Sequence, residues 1–438
     1  MTALTTPASL WTNLRYLLWL VSDTAKGLGS ALFGFAIPLI ALFVTDDPAQ
    51  AGVIGGIGMA VRVATTLIGG VLADRHRRIL LMLLGAGIAA VLSLGFTMLA
   101  LGDALTFTVL LVVEVLLMLR AGLFEPASES ALKELVPDAA MGRAQAANQG
   151  RDAVLQLAGG PLGGALLAVG AWLVGVAMTV CFGVAAFMAW LLRRTPADPA
   201  LEAAVSNGPV PARDRNPARG VLREIGEGFG WLFSRPDLRG VLFVATIINL
   251  GFNAALTTVI YALQQQGHSA LTIGLLSTAA GAAMLVGALV APMLVAKVPA
   301  GVVVIGALGI AVVGMLGLVP VHGPLALAGV LAVCVFFIPA VNAALGGYFM
   351  VATPSALLGR ANSANQVLGM GAMPLAPLIA GFGLAWAGRE ATLLAAITLS
   401  AVSVVLAASN RALRELPAEA GWAAHAARFA ITAETPGR

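Results

Sequence analysis

Five ionisable residues of this sequence, Asp23, Lys26, Arg62, Glu114 and Arg120, lie inside long apolar runs. In hydrocarbon each costs about 3 kcal/mol or more unless it is paired or hydrated. Two kinds of chemistry justify such a cost. Opposite charges can pair and hold helices together, or a carboxylate can take up and release a proton and so couple a gradient to the movement of a solute. Asp23 and Lys26 are three residues apart and share one face of a helix. Arg62 stands midway along the second apolar run, Glu114 near the middle of the fourth, and Arg120 nearer its end. No aspartate or glutamate occurs between Asp237 and Glu390, so an intramembrane proton carrier must come from the first half, with Asp23 and Glu114 as candidates. The competing reading is that these two acids only neutralise Lys26, Arg62 and Arg120. A permanently paired carboxylate cannot cycle protons usefully.

The second half offers a neutral wall. Asn249 and Asn253 are one helical turn apart, Asn342 follows Pro339, and Phe252, Tyr261, Phe336 and Phe337 are nearby in sequence. Such a surface suits a lipophilic or amphipathic solute with few fixed polar contacts. Asparagines also bind membrane helices to one another, so helix packing is the alternative reading.

The elements that must position these residues follow from composition. Of 438 residues, 59% are hydrophobic and 11% charged, and the mean hydropathy is +0.93. A soluble domain carries about a quarter charged residues, so a soluble enzyme is excluded. At roughly 20 residues per crossing, the apolar content supplies on the order of twelve spans. We place them near 15–44, 51–73, 78–101, 104–125, 145–168, 171–193, 239–266, 271–295, 299–320, 324–351, 361–386 and 389–412. The first is too long for a signal-peptide core and is charged, so it reads as an uncleaved span. The expected fold class is an all-α integral membrane protein. Its domains are a six-helix bundle over 1–193, a polar linker over 194–238 rich in Pro, Arg, Glu and Asp, a second bundle over 239–412, and a tail over 413–438.

Of 25 lysines and arginines, Lys26, Arg62 and Arg120 lie within spans and Arg389 in the last outer loop; the other 21 fall on the side of the termini and linker. Positive residues are retained in the cytoplasm, so both termini are expected there, in a multi-pass protein of the cell membrane. This sorting also accounts for the basic pI without a nucleic-acid partner. Cys181 and Cys334 are far apart in apolar runs, and His76, His268, His322 and His425 lack ligand spacing, so neither a disulfide nor a metal or other cofactor is implied. Gly142-Arg-Ala-Gln-Ala-Ala-Asn-Gln149 recurs as Gly359-Arg-Ala-Asn-Ser-Ala-Asn-Gln366, 217 residues on, and Pro137 and Pro354 keep that offset. Each copy precedes the fifth helix of its half, which makes the halves parallel repeats.

Between the second and third spans, Gly70-Val-Leu-Ala-Asp74-Arg75-His-Arg77-Arg78 resembles the cytoplasmic loop signature of the major facilitator superfamily. An aspartate at a helix end with arginines beyond it can bond a neighbouring bundle in one conformation and release it in another. The usual glycine after Asp-Arg is absent, and in the second half Gly287 is kept while Ala291 stands where Asp74 would project. Phe124-Glu-Pro126-Ala-Ser, Leu135-Val-Pro137, Asn148 and Gly159-Gly160-Pro161-Leu-Gly163-Gly164 resemble the drug:proton antiporter branch, notably its macrolide-efflux and siderophore-exporter relatives, with the glycine-proline run one residue short. That run permits close backbone approach and a bend, and Pro374-Leu-Ala-Pro377 with Gly381 makes the matching kink. Leu116-x-x-x-Arg120 resembles the family's fourth-helix arginine motif, and the resemblance places the first and fourth helices on a central cavity.

Four function classes are open to a chain of this kind. A primary pump is disfavoured because none of Lys26, Lys133 and Lys297 sits in a Gly-x-x-x-x-Gly-Lys loop. An embedded enzyme would need a nucleophile, base and orienting group that the sequence does not offer, so the chain is read as no enzyme. A receptor or scaffold is disfavoured by short loops. A secondary transporter remains: the resemblance implies two pseudo-symmetric bundles rocking about a midplane site, exporting a small lipophilic or amphipathic molecule by proton antiport. Proton-coupled or facilitated uptake is the runner-up. The partners expected are that solute, protons and the lipid bilayer, with the chain acting as a monomer.

Overall fold

The computed structural model describes residues 12–136, 138–196, 226, 229–354 and 357–433. Twelve stretches of helix in it are long and apolar enough to cross a membrane. In the first half these are α1 (Leu14–Thr45), α2 (Pro48–Arg75), α3 (Arg78–Leu101), α4 (Phe107–Leu135), α5 (Asp138–Val169) and α6 (Ala171–Arg194). The second half begins with α7 (Pro236–Gln265), α8 (Ala270–Lys297) and α9 (Ala300–Gly317). The tenth span is broken into α10 (Pro324–Val335) and α11 (Ile338–Ala352), and the eleventh into α12 (Leu358–Gly371) and α13 (Leu375–Trp386). α14 (Gly388–Ser409) is the twelfth, followed by the short α15 (Arg411–Arg414) and α16 (Trp422–Ala433). The expected linker lies mostly outside the described residues.

Both breaks fall at prolines. Pro339 and Pro374 lack the amide that would continue the ladder, and chain entry to α11 and α13 is reset there. The sequence reading made each of these spans one helix and foresaw only the kink at Pro374. By contrast α5 runs unbroken through Pro161. At the first break the freed Phe336 carbonyl lies against Gly287 of α8, where any Cβ would collide with it. That gives Gly287 a packing reason to be glycine.

The helices group into two compact units. One holds α1, α2 from Ile57 onward, α3 to α6, and Ser269–Gly274 at the head of α8; the other holds Asp46–Gly56 and the remaining second-half helices. In the first unit α1 packs on α4, α5 and α6, and α3 on α4 and α6. Small residues make these crossings close: a Cβ on Gly175 of α6 would meet Phe96 Cδ1 of α3 at 2.9 Å, and one on Gly29 of α1 would meet the Phe182 ring at 2.9 Å. Tyr16 and Trp19, buried and stacked 6.0 Å apart, fill the core near the start of α1. In the second unit α7 packs on α13 and α14, with Gly251 against Ser400. Large apolar side chains such as Phe43, Leu289 and Leu325 are almost fully exposed, which suits a surface bathed in lipid.

The sequence repeat has a structural counterpart. Gly142–Gln149 lies on α5 and Gly359–Gln366 on α12, and the paired positions Ala144 and Ala361 are both fully buried. Arg389, the basic residue assigned to the outer side, also has a structural explanation. Its guanidinium donates to the Leu318, Val319 and Val321 carbonyls at 2.6, 2.9 and 2.5 Å, satisfying acceptors just past the end of α9. Arg389→Leu is expected to cost about 1–3 kcal/mol and lower the melting temperature, read by thermal unfolding in detergent.

Candidate functional site

Four of the five intramembrane charges enter two ion-pair clusters within the first unit. Asp23, on α1, accepts from Lys26 Nζ at 2.5 Å and from the Ser128 hydroxyl of α4 at 2.5 Å. Its other oxygen lies 2.7 Å from Arg151 Nη1 on α5. The Trp19 indole donates to the Ser128 carbonyl at 3.0 Å, and its ring lies 5.8 Å from the Arg151 guanidinium. One carboxylate thus ties α1, α4 and α5 together.

The second cluster centres on Glu125 of α4. Arg62 of α2 donates to it at 3.0 Å, and an Arg120 nitrogen lies 3.9 Å from its other oxygen. Arg120 is buried, stacks on Phe182 of α6 at 5.0 Å, and leaves its Nε without a hydrogen-bond partner. A cavity of about 10 Å³, room for roughly one water, lies among Ser22, Lys26, Arg120, Glu125 and Ser128. It separates the two clusters.

Glu114 is placed differently. It is 4% exposed, yet it makes no hydrogen bond or ion pair to any described residue. Its carboxylate fills the space left by the missing side chain of Gly58 on α2; a Cβ there would stand 2.6 Å from Glu114 Cγ. Gly58→Ala is therefore expected to lower stability by about 1–3 kcal/mol through overpacking. Adding Glu114→Ala should recover most of that loss, and a double-mutant cycle of melting temperatures reads the coupling.

Sequence reasoning named Asp23, Lys26, Arg62, Glu114 and Arg120 but missed Glu125, Ser128 and Arg151, which partner Asp23, Arg62 and Arg120. Glu125 had a signal, being an acid five residues beyond Arg120 and just before Pro126. Arg151 falls inside the span placed at 145–168 but goes uncounted among the intramembrane charges; α5 carries it onto Asp23.

Of the loop signature, Arg75 and Arg77 are exposed, Arg78 bonds the Ser130 carbonyl at 3.0 Å and Glu134 at 3.2 Å, and nothing crowds Gly70. The Asp74 side chain lies outside the described residues. In the α5 motif, a Cβ on Gly163 would meet the Phe35 ring at 2.7 Å. Gly164 lies against the Ala270 carbonyl, and the Gly160 carbonyl against Gly274, within the same unit, while Pro161 adds no donor there. Among the second-half candidates, Asn249 and Asn342 are exposed, and Phe252, Asn253, Phe336 and Phe337 are half-buried. Asn253 donates to the Asn249 carbonyl at 2.8 Å, and Phe336 and Phe337 meet edge-on at 4.9 Å. Tyr261 is buried within its own unit.

Twelve candidate spans with paired and solitary charges buried in the first half make an integral membrane bundle, and its family and fold are those of transporters, not enzymes. The chain belongs to the Major Facilitator Superfamily, whose family model matches residues 24–377. It is 30% identical over 387 residues to the enterobactin exporter EntS of Citrobacter koseri, an alignment covering 82% of this chain and 86% of that one. Among solved structures it resembles a bacterial homologue of the iron transporter ferroportin in an inward-facing state, with TM-score 0.68 and 15% identity over 92% of this chain and 100% of that one. It also resembles a bacterial homologue of the lysosomal transporter Spinster, with TM-score 0.62 and 15% identity over 97% and 100%. A third is a mutant of the nucleoside transporter NupG, with TM-score 0.64 and 13% identity over 90% and 99%. These structures share the fold, which is the all-α twelve-span major facilitator architecture of two pseudo-symmetric six-helix bundles.

Proposed function

We propose that this multi-pass membrane transporter exports a small lipophilic or amphipathic molecule by proton antiport, with alternating access at the centre of the bilayer. The observation that carries the reading is the solitary Glu114. It alone among the named intramembrane carboxylates is free of any described partner, so it can gain and lose a proton without an ion pair being made or broken. Asp23 serves instead as the anchor of Lys26 and Arg151, and Glu125 as that of Arg62 and Arg120. Asn249, Phe252, Asn253, Phe336 and Asn342 form the neutral side of the substrate path, and Asp74, Arg75, Arg77 and Arg78 the gating loop. Bundles over 1–193 and 239–412, termini in the cytoplasm and a monomer in the cell membrane complete the proposal. The exporter among the relatives supports the direction of transport.

The test uses purified protein in proteoliposomes with an imposed proton gradient and a panel of lipophilic cationic and neutral compounds. Movement against the proton flux, lost in Asp74→Asn, is expected. Movement with the proton flux would make the chain a symporter, and gradient-independent equilibration a facilitated carrier.

A further inference from the structure

The sequence reading treated residues after 412 as a plain tail and found no role for His425. The structure builds them into the second unit. Asn410 caps α15, its side chain accepting from the Leu413 amide at 3.1 Å. The Pro417 and Leu416 carbonyls then accept from the Ala300 and Gly301 amides, each at 3.1 Å, filling donors that the start of α9 would otherwise leave open. α16 follows with Trp422, His425 and Ala426 turned inward, all buried.

Beneath α16 lies a buried polar triad. Arg235 forks onto Asp237 at 2.9 and 2.8 Å, and the Tyr348 hydroxyl of α11 donates to Asp237 at 2.6 Å. Arg235 also reaches the Ala426 carbonyl of α16 at 3.3 Å. The Trp422 and His425 rings meet Tyr348 edge-on at 6.5 and 5.8 Å, and His425 Nε2 lies 3.2 Å from the Ala412 carbonyl. A Cβ on Gly347 would strike the Trp422 ring at 2.6 Å, so α11 is shaped to receive it. An ion pair at the head of α7 is thereby roofed by the far end of the chain.

We propose that α16 is an acid-released clasp: docked, it seals the Arg235–Asp237–Tyr348 triad from water and ties the head of α7 to the tail, and protonation of His425 undocks it. The groups facing His425 are Arg235 and Asp237 at the head of α7, Tyr348 on α11, Glu415 and the Ala412 carbonyl at α15, and Arg428 on α16 itself. Burial is the largest influence and pulls the imidazole below its ordinary value; the Ala412 carbonyl and Asp237 oppose it, Arg428 adds to it, and Glu415 opposes it. A group whose docked form is harder to protonate stabilises docking fully above its free value, about 6.5 for histidine, and that stabilisation is lost as pH falls below it.

Hydrogen exchange on the full chain in nanodiscs tests this, with peptides over 422–433 followed at pH 8 and pH 5.5 after correction for intrinsic exchange. Protection of these peptides is expected to fall by about threefold or more at pH 5.5 while α7 peptides deep in the bundle stay protected. His425→Gln, which can keep a donor to the Ala412 carbonyl, and His425→Phe, which keeps the ring packing, should each show the same protection at both pH values. Unchanged wild-type protection would overturn the proposal, as would an equal acid-induced loss in both variants. Should one variant fail to dock at pH 8, the other and the wild-type pH response still decide.

Discussion

Glu114→Gln is expected to cut gradient-driven transport sharply while leaving the protein folded. Glutamine keeps the shape that fills the Gly58 recess but cannot release a proton at any working pH. No described group relies on the Glu114 charge, so its removal breaks no ion pair, and the melting temperature should hold or rise. Proton–substrate coupling of the usual size corresponds to about 10–100-fold, and that is the expected drop in gradient-driven flux. Exchange of labelled for unlabelled substrate without a gradient should persist, because the neutral variant still permits the bundles to alternate. Equal loss of both activities would assign Glu114 to substrate binding or packing, and normal gradient-driven flux would remove it from coupling altogether.

Asp23→Ala should act on stability first. Asp23 holds Lys26, Arg151 and Ser128 at once, and its loss leaves two cations without their shared acceptor among α1, α4 and α5. Breaking a buried pair by deleting one partner costs about 3–5 kcal/mol, enough to reduce the yield of folded protein sharply. For Asp23→Asn the geometry predicts a lowered melting temperature, with the amide recovering part of the Ser128 bond. Size-exclusion profiles and thermal unfolding read that loss. A fully stable Asp23→Asn that transports without coupling would return Asp23 to the proton path. Together the two variants distinguish a charge that moves from a charge that holds.

The twelve spans, the all-α class and the repeated segment were legible in the sequence because each rests on local composition and spacing. Apolar runs of about twenty residues have no other stable home than a helix across lipid. The 217-residue offset between Ala144 and Ala361 is visible without coordinates. The sequence also singled out five of the charges that lipid would penalise, though not Glu125 or Arg151. It could not assign their partners, since Arg151 reaches Asp23 across 128 residues of chain and Arg62 reaches Glu125 across 63, distances over which no local pattern carries information. Only tertiary packing decided that Asp23 is held threefold and Glu114 left alone, because partner choice depends on which helix faces cross and at what height. The tail follows the same rule. It lacks an apolar run long enough for a span, and only the arrival of Trp422 and His425 over Tyr348 makes it part of the bundle.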